Sequence, residues 1–176
     1  RFNLEIFDVE KQSVHGGTLR IFVSKKNNFK IKDSVKKFIK LEYEFGINNI
    51  KTYEKFSDDV QSLKNNIMEV IKKLKKEKKS LFGYGASAKG NVLLNYCNID
   101  YNILDYIIDT TPLKQGKFTP GTHIPIVSPD KINDRGNGSI ALLLAWNYEN
   151  QILDKEHIFR SNGGKFLIPI PKPIIK

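Results

Sequence analysis

SLFGYGASAKGNV, residues 80–92, decides the fold. An apolar stretch runs into two glycines, then into small residues and a lysine. Gly83-Tyr84-Gly85-Ala86-Ser87-Ala88 matches G-x-G-x-x-G/A, set after a strand and before a helix. The first glycine makes a tight turn, the second lets backbone approach a phosphate, and the third small residue lets helix and strand pack closely. The helix N-terminus then offers free N–H groups and a partial positive charge. Lys89 adds a cation in the first turn, where it opposes the helix dipole, so an anionic partner is expected. Gly90 weakens that turn by roughly 1 kcal/mol relative to alanine, which points to something coming close there. Asp109 lies twenty-one residues after Ala88, a spacing at which an acid commonly accepts hydrogen bonds from a ribose. Gly83, Gly85, Ser87, Lys89, Gly90, Asn91 and Asp109 are therefore candidate ligand residues. Tight packing alone is the competing explanation of the turn.

Outward from the turn, strands and helices alternate. ILDYIID (103–109), IPIVSP (124–129), SIALLLAW (139–146) and GKFLIPIP (164–171) read as further strands, and residues 148–160 suit a helix. Apolar runs without alternation indicate strands covered on both faces, as in a parallel sheet between helices. Upstream, Val35, Phe38, Ile39 and Phe45 share a helix face, with Asp33 or Ser34 as cap and Gly46 as stop. Val60, Leu63, Ile67, Val70 and Leu74 mark a second helix after a Ser57 cap. LEIFDVE and TLRIFV read as two strands around SVHGG. The expected fold is α/β, a three-layer Rossmann-like domain with a mostly parallel sheet over residues 26–176. A β-hairpin, residues 1–25, precedes it and belongs to a sheet whose other strands lie upstream. The chain opens on Arg1 and its one methionine is Met68, so a fragment of a longer protein is expected.

The 176 residues are 40% hydrophobic and 27% charged, ordinary for a globular domain. No apolar run approaches the ~18 residues of a membrane span, and no signal peptide opens the chain, so a cytoplasmic protein without a membrane partner is expected. Cys97 is the single cysteine, which excludes internal disulfides and cysteine-based zinc clusters. The net charge of +10 is densest over residues 72–79. That run ends a helix, where cations complement the dipole, and it is read as a solvated helix end. A nucleic-acid groove usually adds arginine or exposed aromatics.

Trp146 and Asn147 follow the most apolar strand, at the carboxyl edge where open α/β sheets bind ligands. Asn147 is either a ligand contact or a helix cap. Lys114, Gln115 and Lys117 lie in a long loop on the same edge, a candidate binding element. His15, His123 and His157 are too scattered for a metal set or a triad, and no G-x-S-x-G elbow is present. No catalytic residue and no metal ligand is expected in this chain.

VHGGTLR (14–20), GYGASAKGNVLLNY (83–96), IIDTTPLKQGKFTPGTHIPI (107–126), LLLAWNY (142–148) and GGKFLIPIP (163–171) resemble, in that order, the C-terminal domain of sugar C-methyltransferases. The resemblance covers nearly the whole chain from His15 onward. It implies a small zinc-binding domain and an S-adenosylmethionine-binding domain upstream, with the opening hairpin closing the latter. It also implies a reaction on a nucleotide-linked keto-deoxysugar, in which a proton beside the keto group is removed and the enolate takes the methyl group. Zinc, S-adenosylmethionine and the catalytic base are then expected upstream, with none bound here. The turn would help hold a nucleotide-diphosphate sugar facing the upstream domain. Two rivals stay open: a free-standing NAD-binding domain of an oxidoreductase, and a basic nucleic-acid-binding module.

Overall fold

The computed structural model describes residues 2–176, the side chain of His15 excepted, so readings that touch Arg1 or that imidazole lie outside the described residues. The chain divides into two units, with the boundary between Asp59 and Val60.

In the first unit, β1 (Leu4–Gln12) and β2 (Thr18–Lys25) pair antiparallel around a 3-10 turn, Val14–Gly16. This is the expected hairpin, and it is part of a unit that runs to Asp59. Helix α1 (Asp33–Phe45) packs on β1 and ends at Gly46, whose φ of 82° closes it in the left-handed region. The register of the hairpin shifts between Ile6 and Asp8, and Phe7 stacks on Phe29 with ring centroids 4.6 Å apart. Neither Asp33 nor Ser34 caps α1. Lys32 holds the N-cap position without a side-chain cap bond, because Ser34 instead donates its hydroxyl to Asp8 at 2.7 Å. Lys32 Nζ reaches the same carboxylate at 2.5 Å.

The Lys32 hydrogen bond, followed by that from Ser34, holds the Asp8 carboxyl below its usual value. A depressed folded pKa stabilises above the unfolded value, about 3.9, and that contribution is lost as pH falls through the folded value. Amide exchange in β1 and α1 is therefore expected to lose protection on acidification below about pH 4, and Asp8→Asn to remove that pH dependence. A variant whose protection still falls with pH as the wild type does would refute this role for Asp8.

Helix α2 (Ile50–Lys76) begins seven residues before the expected Ser57 cap, which lies inside the helix. Asn49 supplies the start, its Oδ1 accepting from Lys51 N at 3.0 Å, and no breaker separates it from Ser57. In the second unit α2 buries Ile67, Ile71 and Leu74, with Leu63 and Val70 packed alongside. The other elements are β3 (Ser80–Tyr84), α3 (Ala88–Cys97), β4 (Ile107–Ile108), β5 (Ile126–Val127), β6 (Ser139–Leu143), α4 (Glu149–Lys155), α5 (His157–Ser161), β7 (Lys165–Ile168) and β8 (Ile174–Ile175).

The sheet order is β5-β4-β3-β6-β7-β8, and every pair is parallel except β7–β8. The mostly parallel sheet expected from the apolar runs is present, with β8 added as an antiparallel edge. Successive strand residues alternate between two buried clusters. Leu81, Ile107, Ile140, Leu142 and Leu167 meet α2 and α3; Phe82, Ile108, Ala141, Leu143 and Phe166 meet Leu153 of α4 and Phe159 of α5. The single helix expected over 148–160 is broken at Glu156, whose buried carboxylate takes the Tyr84 hydroxyl hydrogen bond at 2.5 Å. Gly163 N and Gly164 N bond to carbonyls of α5, so the glycine pair closes this segment.

Gly83 pairs with Ile107 across β3 and β4. A Cβ at Gly83 would lie 2.7 Å from Ile107 Cγ1 and 3.3 Å from Leu144 Cδ1, closer than side chains pack. Gly83→Val is expected to destabilise the fold by about 1–3 kcal/mol through overpacking. Urea unfolding measures it, and an unchanged midpoint would contradict the packing described.

Candidate functional site

The turn after β3 is shaped by the end of β6. Gly85 has φ 84°, and a Cβ there would stand 2.8 Å from Ala145 Cβ. At Gly90 a Cβ would stand 2.6 Å from Leu144 Cβ. What approaches these two glycines is therefore the chain's own backbone and side chains at residues 144–145. The close helix–strand packing expected of Ala88 falls to Gly90, and Ala88 is exposed at the start of α3. Ser87 caps that helix: its Oγ accepts from Gly90 N at 3.0 Å and donates to Leu144 O at 2.8 Å. One hydroxyl thus closes the helix end and ties it to the strand.

Asp109 follows β4, buried and surrounded by donors. Its Oδ2 accepts from Ala86 N at 2.7 Å and from Lys114 Nζ at 3.2 Å, and its Oδ1 accepts from Thr111 N at 2.8 Å. Lys114 Nζ also donates to Ala86 O at 2.9 Å, and Gln115 Nε2 to Asp109 O at 3.0 Å. Burial pushes this carboxyl up, but the Thr111 hydrogen bonds and the Lys114 charge outweigh it and hold the group below its usual value. The long loop after β4 is accordingly well tied down. Gly116 and Lys117 pair with Ile126, Phe118 bridges Pro125, and Thr119 bonds both Thr122 and Ile124.

The structure brings Gly83, Gly85, Ser87, Gly90, Asp109, Lys114 and Gln115 into one network at the carboxyl edge of the sheet. Trp146 follows β6 in a 3-10 turn, is partly buried against both clusters, and has Lys89 Nζ 6.0 Å from its ring centroid, within cation–π reach. Asn147 is partly buried beside it. Two cavities flank the turn. One, about 360 Å³, lies over Gly85 and is lined by Tyr84, Asp109, Tyr148 and Lys155. The other, about 400 Å³, lies between α3 and the loop and includes Asn91, Lys114, Lys117 and Phe118 in its wall. His123 and His157 are exposed, the latter with Nδ1 3.1 Å from Asp154 O.

Three features escaped sequence reasoning. Burial first, then Glu156, pushes the Tyr84 hydroxyl well above its ordinary value, so it stays a donor. Asn95 Nδ2 bonds both Asn91 O and Pro120 O, clasping the loop to α3. Phe118 is 63% exposed at the cavity mouth. The first two depend on partners 72 and 25 residues away, a separation that leaves no local pattern.

A family model described as the C-methyltransferase C-terminal domain matches residues 13–171. The chain belongs to this family. It is also similar to the C-methyltransferase NovU of Streptomyces niveus, 36% identical over 174 residues, which is 97% of this chain and 40% of that protein. The chain thus spans two fifths of the length of the curated relative it matches. Within this C-methyltransferase C-terminal domain, the matched range takes in the turn, the Asp109 network and both cavities.

Lys114→Met would leave Asp109 Oδ2 with Ala86 N as its remaining partner among the described residues. Lys114 is 42% exposed, so solvent screening limits the loss to about 1 kcal/mol at neutral pH. The Asp109 pKa should rise toward its ordinary value, measured by carboxyl NMR titration. An unmoved titration would show that Lys114 is not what holds the carboxylate charged.

Proposed function

We propose that this domain holds a nucleotide-diphosphate sugar for a C-methyltransferase that methylates a ring carbon of a keto-deoxysugar. The single observation that carries this reading is membership of the C-methyltransferase C-terminal domain family, taken with the turn's placement. The strand order β5-β4-β3-β6-β7 supports a Rossmann-like description, because the order in which strands are added reverses between β3 and β6, where open α/β sheets bind ligands. Ala88 and Lys89, exposed at the N-terminus of α3, offer N–H groups and a cation to the diphosphate. Lys114, Trp146 and Asn147 flank it, while Gly83, Gly85, Ser87, Gly90, Asp109 and Gln115 hold the turn in shape.

S-adenosylmethionine would supply the methyl group, and this chain does not fit it. An adenosine ribose would look to Asp109, whose two oxygens already accept from Ala86, Thr111 and Lys114. The same observation counts against the NAD-binding rival. Zinc does not fit either: among the described residues no group of three or more His, Cys, Asp and Glu could hold a metal ion. We place both cofactors, and the base that removes the sugar's proton, on upstream domains of the same protein, with the opening hairpin as part of their boundary. This chain's share is to bind and orient the substrate. We read the enzyme as cytoplasmic. Among the described residues no helix is long and apolar enough to cross a membrane.

A charge-assisted contact is worth roughly 1.5–3 kcal/mol, so Lys89→Ala should weaken binding of a thymidine-diphosphate sugar by about ten- to a hundredfold. Calorimetric titration into the full-length enzyme measures it. Equal affinities would place the diphosphate elsewhere.

A further inference from the structure

Ser87 and Lys114 line both cavities, so the two meet beside the start of α3. The one over Gly85 has α4 as its outer wall. Tyr148 ends the turn before that helix, and Gln151 and Lys155 follow at spacings of three and four, on the face that borders the cavity. Ile152 and Leu153 anchor α4 to the buried cluster below it, and the Tyr84 hydrogen bond to Glu156 fixes its far end. Tyr148 is 48% exposed and Gln151 is exposed as well. Neither side chain is hydrogen-bonded among the described residues. A firmly seated helix therefore offers this cavity an accessible phenol ring and an accessible amide.

Position and lining together narrow the occupant. With a diphosphate at Ala88 and Lys89, the cavity stands next to it through Ser87, so the occupant is a group attached to that diphosphate. The methyl donor and the base are placed on upstream domains, so the ring that reacts must stay open at the surface of this one. Tyr148 and Gln151 stand there. A hexose has C–H faces that lie flat on an aromatic ring, and oxygens at its edge that an amide can both donate to and accept from. Thr110, exposed after β4, adds a hydroxyl to the same lining. On the α3 side of Lys114 the wall includes Leu94, Ile107, Ile126 and Leu144, which would leave a sugar's hydroxyls unpaired.

We infer that the cavity over Gly85 takes the hexose of the nucleotide sugar, with its C–H face on the Tyr148 ring and its edge oxygens bonded to the Gln151 amide. The inference rests on the nucleotide-sugar reading above and adds where the sugar lies and which residues select it. Gln151 is then a specificity-determining residue, because a site built to hydrogen-bond a substrate oxygen discriminates against a sugar that lacks it. Tyr148 is the platform that sets the height of the ring.

The test uses the full-length protein and two probes, thymidine-diphosphate 4-keto-6-deoxyglucose and thymidine diphosphate, which has no hexose. Wild type is expected to bind the sugar nucleotide at least about tenfold more tightly than thymidine diphosphate. Gln151→Leu, which keeps the bulk, and Tyr148→Leu should each weaken sugar-nucleotide binding by about tenfold and leave thymidine diphosphate affinity unchanged. Tyr148→Phe, which keeps the ring, should bind as wild type does. Both side chains are exposed, so the melting temperatures should match that of wild type. Unchanged sugar-nucleotide affinity in either leucine variant would overturn the inference and leave the nucleotide-sugar reading standing. An equal loss for both probes would also overturn it, by putting the nucleotide on this face of α4, as would a wild type that binds both probes equally. Failure of wild type to bind either probe would instead remove the reading on which the inference rests, and the inference with it.

Discussion

The contact between the glycine turn and the end of β6 sets the rest of the second unit. Leu144 and Ala145 stand within 2.8 Å of where a Cβ would be at Gly90 and Gly85, so α3 can lie this close only because both positions lack a side chain. Gly83 plays the matching part toward β4. With β3, α3, β4 and β6 drawn together at one point, the carboxyl edge of the sheet becomes a fixed frame. The cavities form on either side of that point. Side chains at the glycines would push α3 outward, and the Ser87 bonds to Gly90 and Leu144 would be lost along with the packing.

Polar groups buried by this close packing must be answered from within the chain. Asp109 is 6% exposed and would be costly to keep ionised without its donors. Two backbone amides and one ammonium make the charge tolerable, and in return they fasten the turn to the loop. Lys114 serves both ends, bonding the carboxylate and Ala86 O. Tyr84 and Glu156 repeat the pattern on the other face of the sheet, where a hydroxyl from β3 meets a carboxylate at the break between α4 and α5. Asn91 Oδ1 is the exception among the described residues, buried without a hydrogen-bond partner.

How much was legible depends on range. The strands Ser80–Tyr84 and Ser139–Leu143, the helix opened by Ser87 and the stops at Gly46 and Gly163 follow from neighbours in sequence. The start of α2 was missed because Ser57 has the chemistry of a cap, whereas the Asn49 bond to Lys51 N decides the outcome. Asp109 was read as an acid for a ligand, and the structure shows its carboxylate accepting from Ala86, Thr111 and Lys114. Its surroundings could not be read, since Ala86 is 23 residues away and Lys114 binds it through a turn of the loop. Likewise Gly85 and Gly90 were legible as close-approach positions, but the approaching group was not.

The sequence by itself determined an α/β chain with a glycine turn between a strand and a helix, and a family likeness that the comparisons bear out. Period, small-residue spacing and capping chemistry act over a few residues, and they survive in the sequence as pattern. Tertiary structure alone decided that the turn's glycines face Leu144 and Ala145, that Asp109 is held by three donors, and that Asn91 keeps a buried oxygen without a partner. Those outcomes depend on which segments meet across the sheet, and contact between distant segments leaves no mark in local spacing.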